Sequence, residues 1–173
     1  IADPWATEAM TLVKEYLPKA IEDGSDMEAR EMMALADTYA GLSNTSSSTN
    51  LRHAMAHSIS GHYPDIAHAQ ALASISVPIM SFNVEKGDEK TKRRYATISE
   101  RLGGERDPEE AIERLSNLIK EVGLDKTLKE LGVDSEKLEQ MAEDTFDYMG
   151  GDVDNNPVDV TKKEVLRLFK ESY

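Results

Sequence analysis

Residues 51–73 read LRHAMAHSISGHYPDIAHAQALA and contain all four histidines of the 173-residue chain. Within this stretch, His53 and His57 are four positions apart, so on a helix both imidazoles would project from one face. His68 opens the next predicted helix and can come alongside them after the intervening turn. Spacing alone leaves two interpretations open. The rings either approach one ion or one substrate, or they form a hydrogen-bonded pair in a helical core.

Nearly every other segment also has the apolar period of a helix, and strand-like alternation is missing. We therefore predict an all-α protein with seven or eight helices. The first predicted helix covers 3–23 and is kinked at Pro18, and the second is capped by Asp26 and followed by a tight turn over 43–50. Two helices follow over 51–61 and 68–82, and Pro78 interrupts the latter. The remaining predicted helices cover 90–102, 108–122 and 135–149, and a last helix begins at Thr161.

Helix boundaries carry specific residue types. Asp3 before Pro4 has the pattern of a cap and a first-turn proline, and Thr161 with Glu164 forms a capping box. The glycine pairs at 103–104 and 150–151 each follow a predicted helix, with no strand before them. They therefore indicate helix ends and not a phosphate-binding loop.

Composition excludes several function classes. A net charge of −13 repels nucleic acid and anionic lipid, and no apolar run approaches the ~20 residues of a membrane-spanning helix. The chain has no cysteine, which fits a cytoplasmic location and rules out thiolate chemistry. The acidity also fits a salty habitat. The start at Ile1, without a methionine, indicates an excision point in a longer chain.

Four segments in order resemble the iron-containing alcohol dehydrogenase family. The histidine-rich stretch 51–73 is similar to that family's signature, and residues 29–41 resemble its "AREkM..A..lAG" helix. Residues 77–83 are similar to its "LPxvmxfN" helix, and Asn156-Pro157 followed by Thr161 looks like its "NPrxxT" ending. The resemblance covers nearly the whole chain and is more specific than a single His-x-x-x-His pair.

The resemblance implies a multi-helix bundle of the dehydroquinate-synthase-like class, forming one metal-binding domain over residues 1–173 without the nucleotide-binding domain that precedes it in the family. It implies that His53 and His68 are ligands of a divalent metal, Fe²⁺ first and Zn²⁺ second. His57 would lie near the nicotinamide of NAD or NADP and help move the alcohol proton. His62 has no standard role, and either supports the site or is a partly exposed turn residue.

The expected function is that of the C-terminal domain of an alcohol dehydrogenase, which interconverts alcohols with aldehydes or ketones by metal-assisted hydride transfer. The family's metal site also uses an Asp and a His that lie upstream, and no histidine precedes His53 here. We therefore expect the chain alone to be inactive, and the complete enzyme to be a homo-oligomer. The alternative is a stand-alone helical interaction domain with structural or weakly metal-binding histidines.

Overall fold

The computed structural model describes residues 1–173 and contains eight α-helices, one 3-10 turn and no strand. The all-α prediction is confirmed. The elements are α1 (Ala2–Glu22), α2 (Met27–Ser46), α3 (Leu51–His62), α4 (His68–Lys86), α5 (Glu89–Arg101), α6 (Pro108–Glu121), the 3-10 turn (Ser135–Lys137), α7 (Leu138–Asp154) and α8 (Lys162–Glu171).

The chain divides into two compact units, and the prediction of a single domain stays a prediction. The first unit consists of residues 1–48 and 88–122 and holds α1, α2, α5 and α6. In it, α1 packs along α2, with the rings of Trp5 and Tyr39 5.4 Å apart between centroids. The guanidinium of Arg94 on α5 binds both carboxylate oxygens of Asp3 on α1, at 2.7 and 3.0 Å.

The second unit consists of residues 49–87 and 123–173 and contains the histidine-rich stretch. Helix α3 packs against α4 and α7, and α8 packs against α4 and α7. Its core is apolar and fully buried, with Leu51, Met55, Ile59, Ile75, Leu128, Met141, Leu168 and Phe169 as its largest members. One buried polar contact crosses this core, where the side-chain amides of Asn83 and Asn156 exchange hydrogen bonds of 3.1 and 2.8 Å.

Several predicted helix starts are confirmed by the contacts that cap them. The Asp26 carboxylate accepts from the backbone N–H of Ala29 at 3.0 Å, and Thr161 and Glu164 form the predicted capping box. The cap predicted at Asp3 is wrong. Helix α1 begins at Ala2, and the Asp3 side chain is instead engaged by Arg94.

Two predicted helix ends and one predicted interruption differ in the structure. Helix α2 runs to Ser46, because the hydroxyls of Thr45 and Ser46 bond the carbonyls four residues earlier and leave the helical backbone intact. Helix α4 continues past Pro78 to Lys86, since residues on both sides of that proline are buried and packing holds the helix together. Helix α7 passes through Gly150 with a kink at Met149 and ends at Asp154.

No helix combines the length and the apolar character that crossing a lipid bilayer requires.

Candidate metal centre

The structure brings His53, His57 and His68 together. His53 and His57 lie in consecutive turns of α3, and His68 is the first residue of α4. Their ring centroids are 6.3 Å apart for His53 and His57, 5.5 Å for His53 and His68, and 5.1 Å for His57 and His68. His53 is half-buried, whereas His57 and His68 are exposed, so the cluster is not a histidine pair enclosed in a helical core.

Local interactions fix the two helices that carry these rings. The Asn50 side chain caps α3 by accepting from the N–H of Arg52 at 3.2 Å. At the other end of α3, the N–H of Tyr63 donates to the Ile59 carbonyl at 2.8 Å, and the Tyr63 hydroxyl accepts from the N–H of Asp134 at 3.0 Å. The turn between α3 and α4 therefore has a defined shape that sets His68 beside the α3 histidines.

The opposite face of α3 anchors the helix in the core. Leu51, Met55 and Ile59 are fully buried, and the Ser58 hydroxyl donates to the Met141 carbonyl on α7 at 2.7 Å. Because successive turns place residues four apart above one another, burying this face leaves the histidine face outward.

The donor set suits a divalent cation. One ring nitrogen from each of His53, His57 and His68 lies within 4.8 Å of those of the other two. Imidazole ligands about 2.1 Å from a tetrahedral ion are separated by roughly 3.4 Å, so modest ring rotations would bring the three nitrogens to ligand distance. Imidazole is a common ligand of both iron and zinc.

Burial and neighbouring charges favour the metal-binding form of two of these rings, His53 and His68. Burial lowers the pKa of His53, and the charges of Arg52, His68 and His57 lower it further, while Asp152 acts in the opposite direction. Burial also lowers the pKa of His68, with a further contribution from His57. Lowered pKa values favour neutral imidazole, and neutral imidazole is the state that coordinates a cation.

His62 does not join the cluster. Its Nε2 lies 2.6 Å from Oδ2 of Asp144 on α7, and Oδ1 of Asp144 accepts from the Gln140 side chain at 3.0 Å. The hydrogen bond with His62, followed by that from Gln140, lowers the pKa of Asp144. His62 is thus a half-buried link between α3 and α7, a role for which the sequence carries no local signal.

Sequence reasoning missed one residue near the cluster, Asp152. The glycine pair at 150–151 was expected to end the helix, which would have left Asp152 in a loop. In the structure Asp152 belongs to the last turn of α7, and its charge acts on His53.

Comparisons with known proteins give a family match over the whole chain. The family description "Fe-containing alcohol dehydrogenase family, C-terminal" matches residues 1–173. The chain is 32% identical over 174 residues to alcohol dehydrogenase 4 of Schizosaccharomyces pombe, covering 99% of this chain and 40% of that protein. It is also 32% identical to the NAD-dependent methanol dehydrogenase of Bacillus methanolicus, covering 99% of this chain and 45% of that protein.

Two solved structures are similar to nearly the whole of this chain. An archaeal halo-thermophilic alcohol dehydrogenase from a Red Sea brine pool is 55% identical with a TM-score of 0.97, over 99% of this chain and 44% of that one. A 1,3-propanediol oxidoreductase is 27% identical with a TM-score of 0.90, over 99% of this chain and 45% of that one. The chain spans less than half the length of the relatives it matches.

Proposed function

Because this chain belongs to the Fe-containing alcohol dehydrogenase family, we propose that it is the metal-holding C-terminal part of an enzyme that interconverts alcohols with aldehydes or ketones. The observation that carries this proposal is the convergence of His53 and His57, in the first two turns of α3, with His68 at the start of α4. An isolated structural domain has no evident need for three imidazoles clustered at its surface, so the alternative of a stand-alone interaction domain has no specific observation in its favour.

In this proposal His53 and His68 hold a divalent cation, Fe²⁺ first and Zn²⁺ second. The bound ion supplies Lewis acidity toward the alcohol oxygen, and NAD or NADP supplies the hydride acceptor. His57 is exposed, with its ring centroid 5.1 Å from that of His68. A nitrogen of the His57 ring can therefore take the hydroxyl proton of an alcohol at the cluster and pass it to solvent.

The three imidazoles cannot complete an enzyme by themselves. The chain spans 40–45% of the lengths of its curated relatives. We propose that the nucleotide-binding domain and the remaining metal ligands belong to the part of those proteins that has no counterpart here, and that residues 1–173 act as one metal-binding domain beside it. A homo-oligomeric, cytoplasmic enzyme is the expected context.

The test is a calorimetric titration of the purified 173-residue chain with Zn²⁺ in chelator-free buffer. We expect measurable binding that is lost in His53→Ala and in His68→Ala, because each removes one of the few imidazoles able to reach the ion. His62→Gln is the matched control, since it removes an imidazole that lies outside the cluster. Binding that survives both alanine variants would refute the proposed site.

A further inference from the structure

Asp152 is held in a fixed position beside the start of α3. The hydroxyl of Thr49, two residues before α3, donates to Oδ1 of Asp152 at 2.5 Å, a length typical of a hydrogen bond to a charged acceptor. The Asn155 side chain donates to the Thr49 carbonyl at 3.2 Å. The last turn of α7 is therefore tied by two hydrogen bonds to the residue that leads into the histidine helix.

This tie places the carboxylate beside the start of α3, whose first turn carries His53. Side chains on an α-helix lean toward its N-terminus, so the ring of His53, in the first turn of α3, leans toward Thr49. Asp152 is half-buried, so solvent screens its charge only in part.

The histidine cluster otherwise has an unfavourable field for a cation. Both α3 and α4 present their N-termini to it, since His53 is in the first turn of α3 and His68 is the first residue of α4. A helix N-terminus carries a partial positive charge.

We propose that Asp152 is a positioning residue for this site: its carboxylate, fixed by Thr49, offsets the partial positive charges of the two helix N-termini and so strengthens divalent-cation binding at His53 and His68. Asp152 lies outside the group of ligand atoms that approach one another within 4.8 Å, so it acts through the field and through His53 without being a ligand. This inference rests on the proposed function, because it concerns the same site.

The experiment measures Zn²⁺ affinity of the 173-residue chain at low ionic strength. Asp152→Asn should weaken binding about tenfold, in line with groups that support metal ligands without touching the ion. Asp154→Asn is the matched control, because Asp154 carries the same charge on the same helix but is exposed. It should change the affinity by less than about twofold, as expected for a screened surface charge.

Two more variants separate an electrostatic role from a structural one. Asp152→Glu keeps the charge and should retain most of the affinity. Thr49→Val keeps the carboxylate but removes the hydrogen bond that holds it in place. Its Zn²⁺ affinity should lie between those of the wild type and Asp152→Asn. The difference between wild type and Asp152→Asn should also shrink in ~1 M NaCl, where the Debye length is about 3 Å, whereas a purely structural effect would persist.

The outcomes distinguish the two proposals. If the wild type binds Zn²⁺ and Asp152→Asn behaves like Asp154→Asn, the inference is overturned while the proposed function stands. A loss of Zn²⁺ affinity well beyond about a hundredfold in Asp152→Asn would also overturn the inference. Effects of that size exceed those of supporting groups and indicate that the carboxylate binds the ion directly. Absence of Zn²⁺ binding by the wild type would instead count against the metal site on which both proposals rest.

Discussion

The imidazoles of His53 and His68 lie on different helices with their ring centroids 5.5 Å apart. The approach depends on the turn over 63–67, in which the N–H of Ile66 donates to the Tyr63 carbonyl at 3.0 Å before α4 begins. His53 is in the first turn of α3, and His68 is the first residue of α4. The two can share one ion only if the turn over 63–67 reverses the chain. The candidate metal site therefore depends on how α3 and α4 pack together.

The buried face of α3 should decide the stability of the histidine helix. Ile59 is fully buried among α3's core contacts. We expect Ile59→Ala to lower the free energy of unfolding by roughly 2–5 kcal/mol, the usual cost of removing a large buried aliphatic side chain. The free energy of unfolding is measured from urea unfolding curves recorded by circular dichroism. Ile21→Ala, at a site that is 56% exposed, should cost far less, and equal losses in the two variants would contradict the assigned packing.

The link between His62 and Asp144 should make stability depend on pH in the acid range. The pKa of Asp144 is lowered in the folded chain, so its ionised form favours folding. Its contribution is complete above the ordinary aspartate pKa of about 3.9 and is lost as the pH falls through the lowered folded value. Asp144→Asn should therefore cost about 1 kcal/mol near neutral pH and little in strong acid.

The control for that measurement is Asp147→Asn, on the same helix and 61% exposed. Unfolding titrations of both variants at several pH values provide the comparison. A penalty for Asp144→Asn that stayed constant from neutral pH into strong acid would mean that charge on this group has no part in it.

Salt should stabilise the chain. Its 33 acidic and 20 basic side chains leave a net charge of −13, and self-repulsion of this kind destabilises a compact state. Raising NaCl from ~0.01 to ~1 M shortens the Debye length from about 30 to 3 Å, so the melting temperature should rise. Differential scanning calorimetry measures it. A melting temperature that falls or stays constant over this range would contradict the idea that charge repulsion destabilises the folded chain.

The 173-residue chain alone should show no dehydrogenase turnover. Each of its glycine pairs lies at or within a helix, Gly103 with a φ of +84° just after α5, and none joins a strand to a helix in the manner of a phosphate-binding loop. The check is NAD(P)H formation by the purified chain with a primary alcohol and added Fe²⁺. Sustained formation above a His53→Ala control would show that the active site is complete within this chain.

Much of the fold can be predicted because helix starts depend on local chemistry. Asp26 and Thr161 each precede a helix and accept from a backbone N–H in its first turn, as expected from the sequence. Helix ends depend more on tertiary contacts. The glycine pair at 150–151 does not stop α7, because Asp152 and Asn155 beyond it are bound to Thr49.

The same distinction between local sequence patterns and tertiary contacts applies to the candidate site. The spacing of His53 and His57 and the position of His68 after one turn predict that the three rings meet, and they do. Their separate roles as ligands and proton carrier stay predictions. Asp152 could not be found from the sequence, because its partner Thr49 lies 103 positions away and no local pattern joins them.

Anomalous X-ray diffraction from crystals of this chain grown with Zn²⁺ tests the central claim most directly. We expect one strong anomalous peak about 2.1 Å from a ring nitrogen of His53 and from one of His68. A Zn²⁺ peak bound elsewhere, with the two rings turned away from each other, would contradict it.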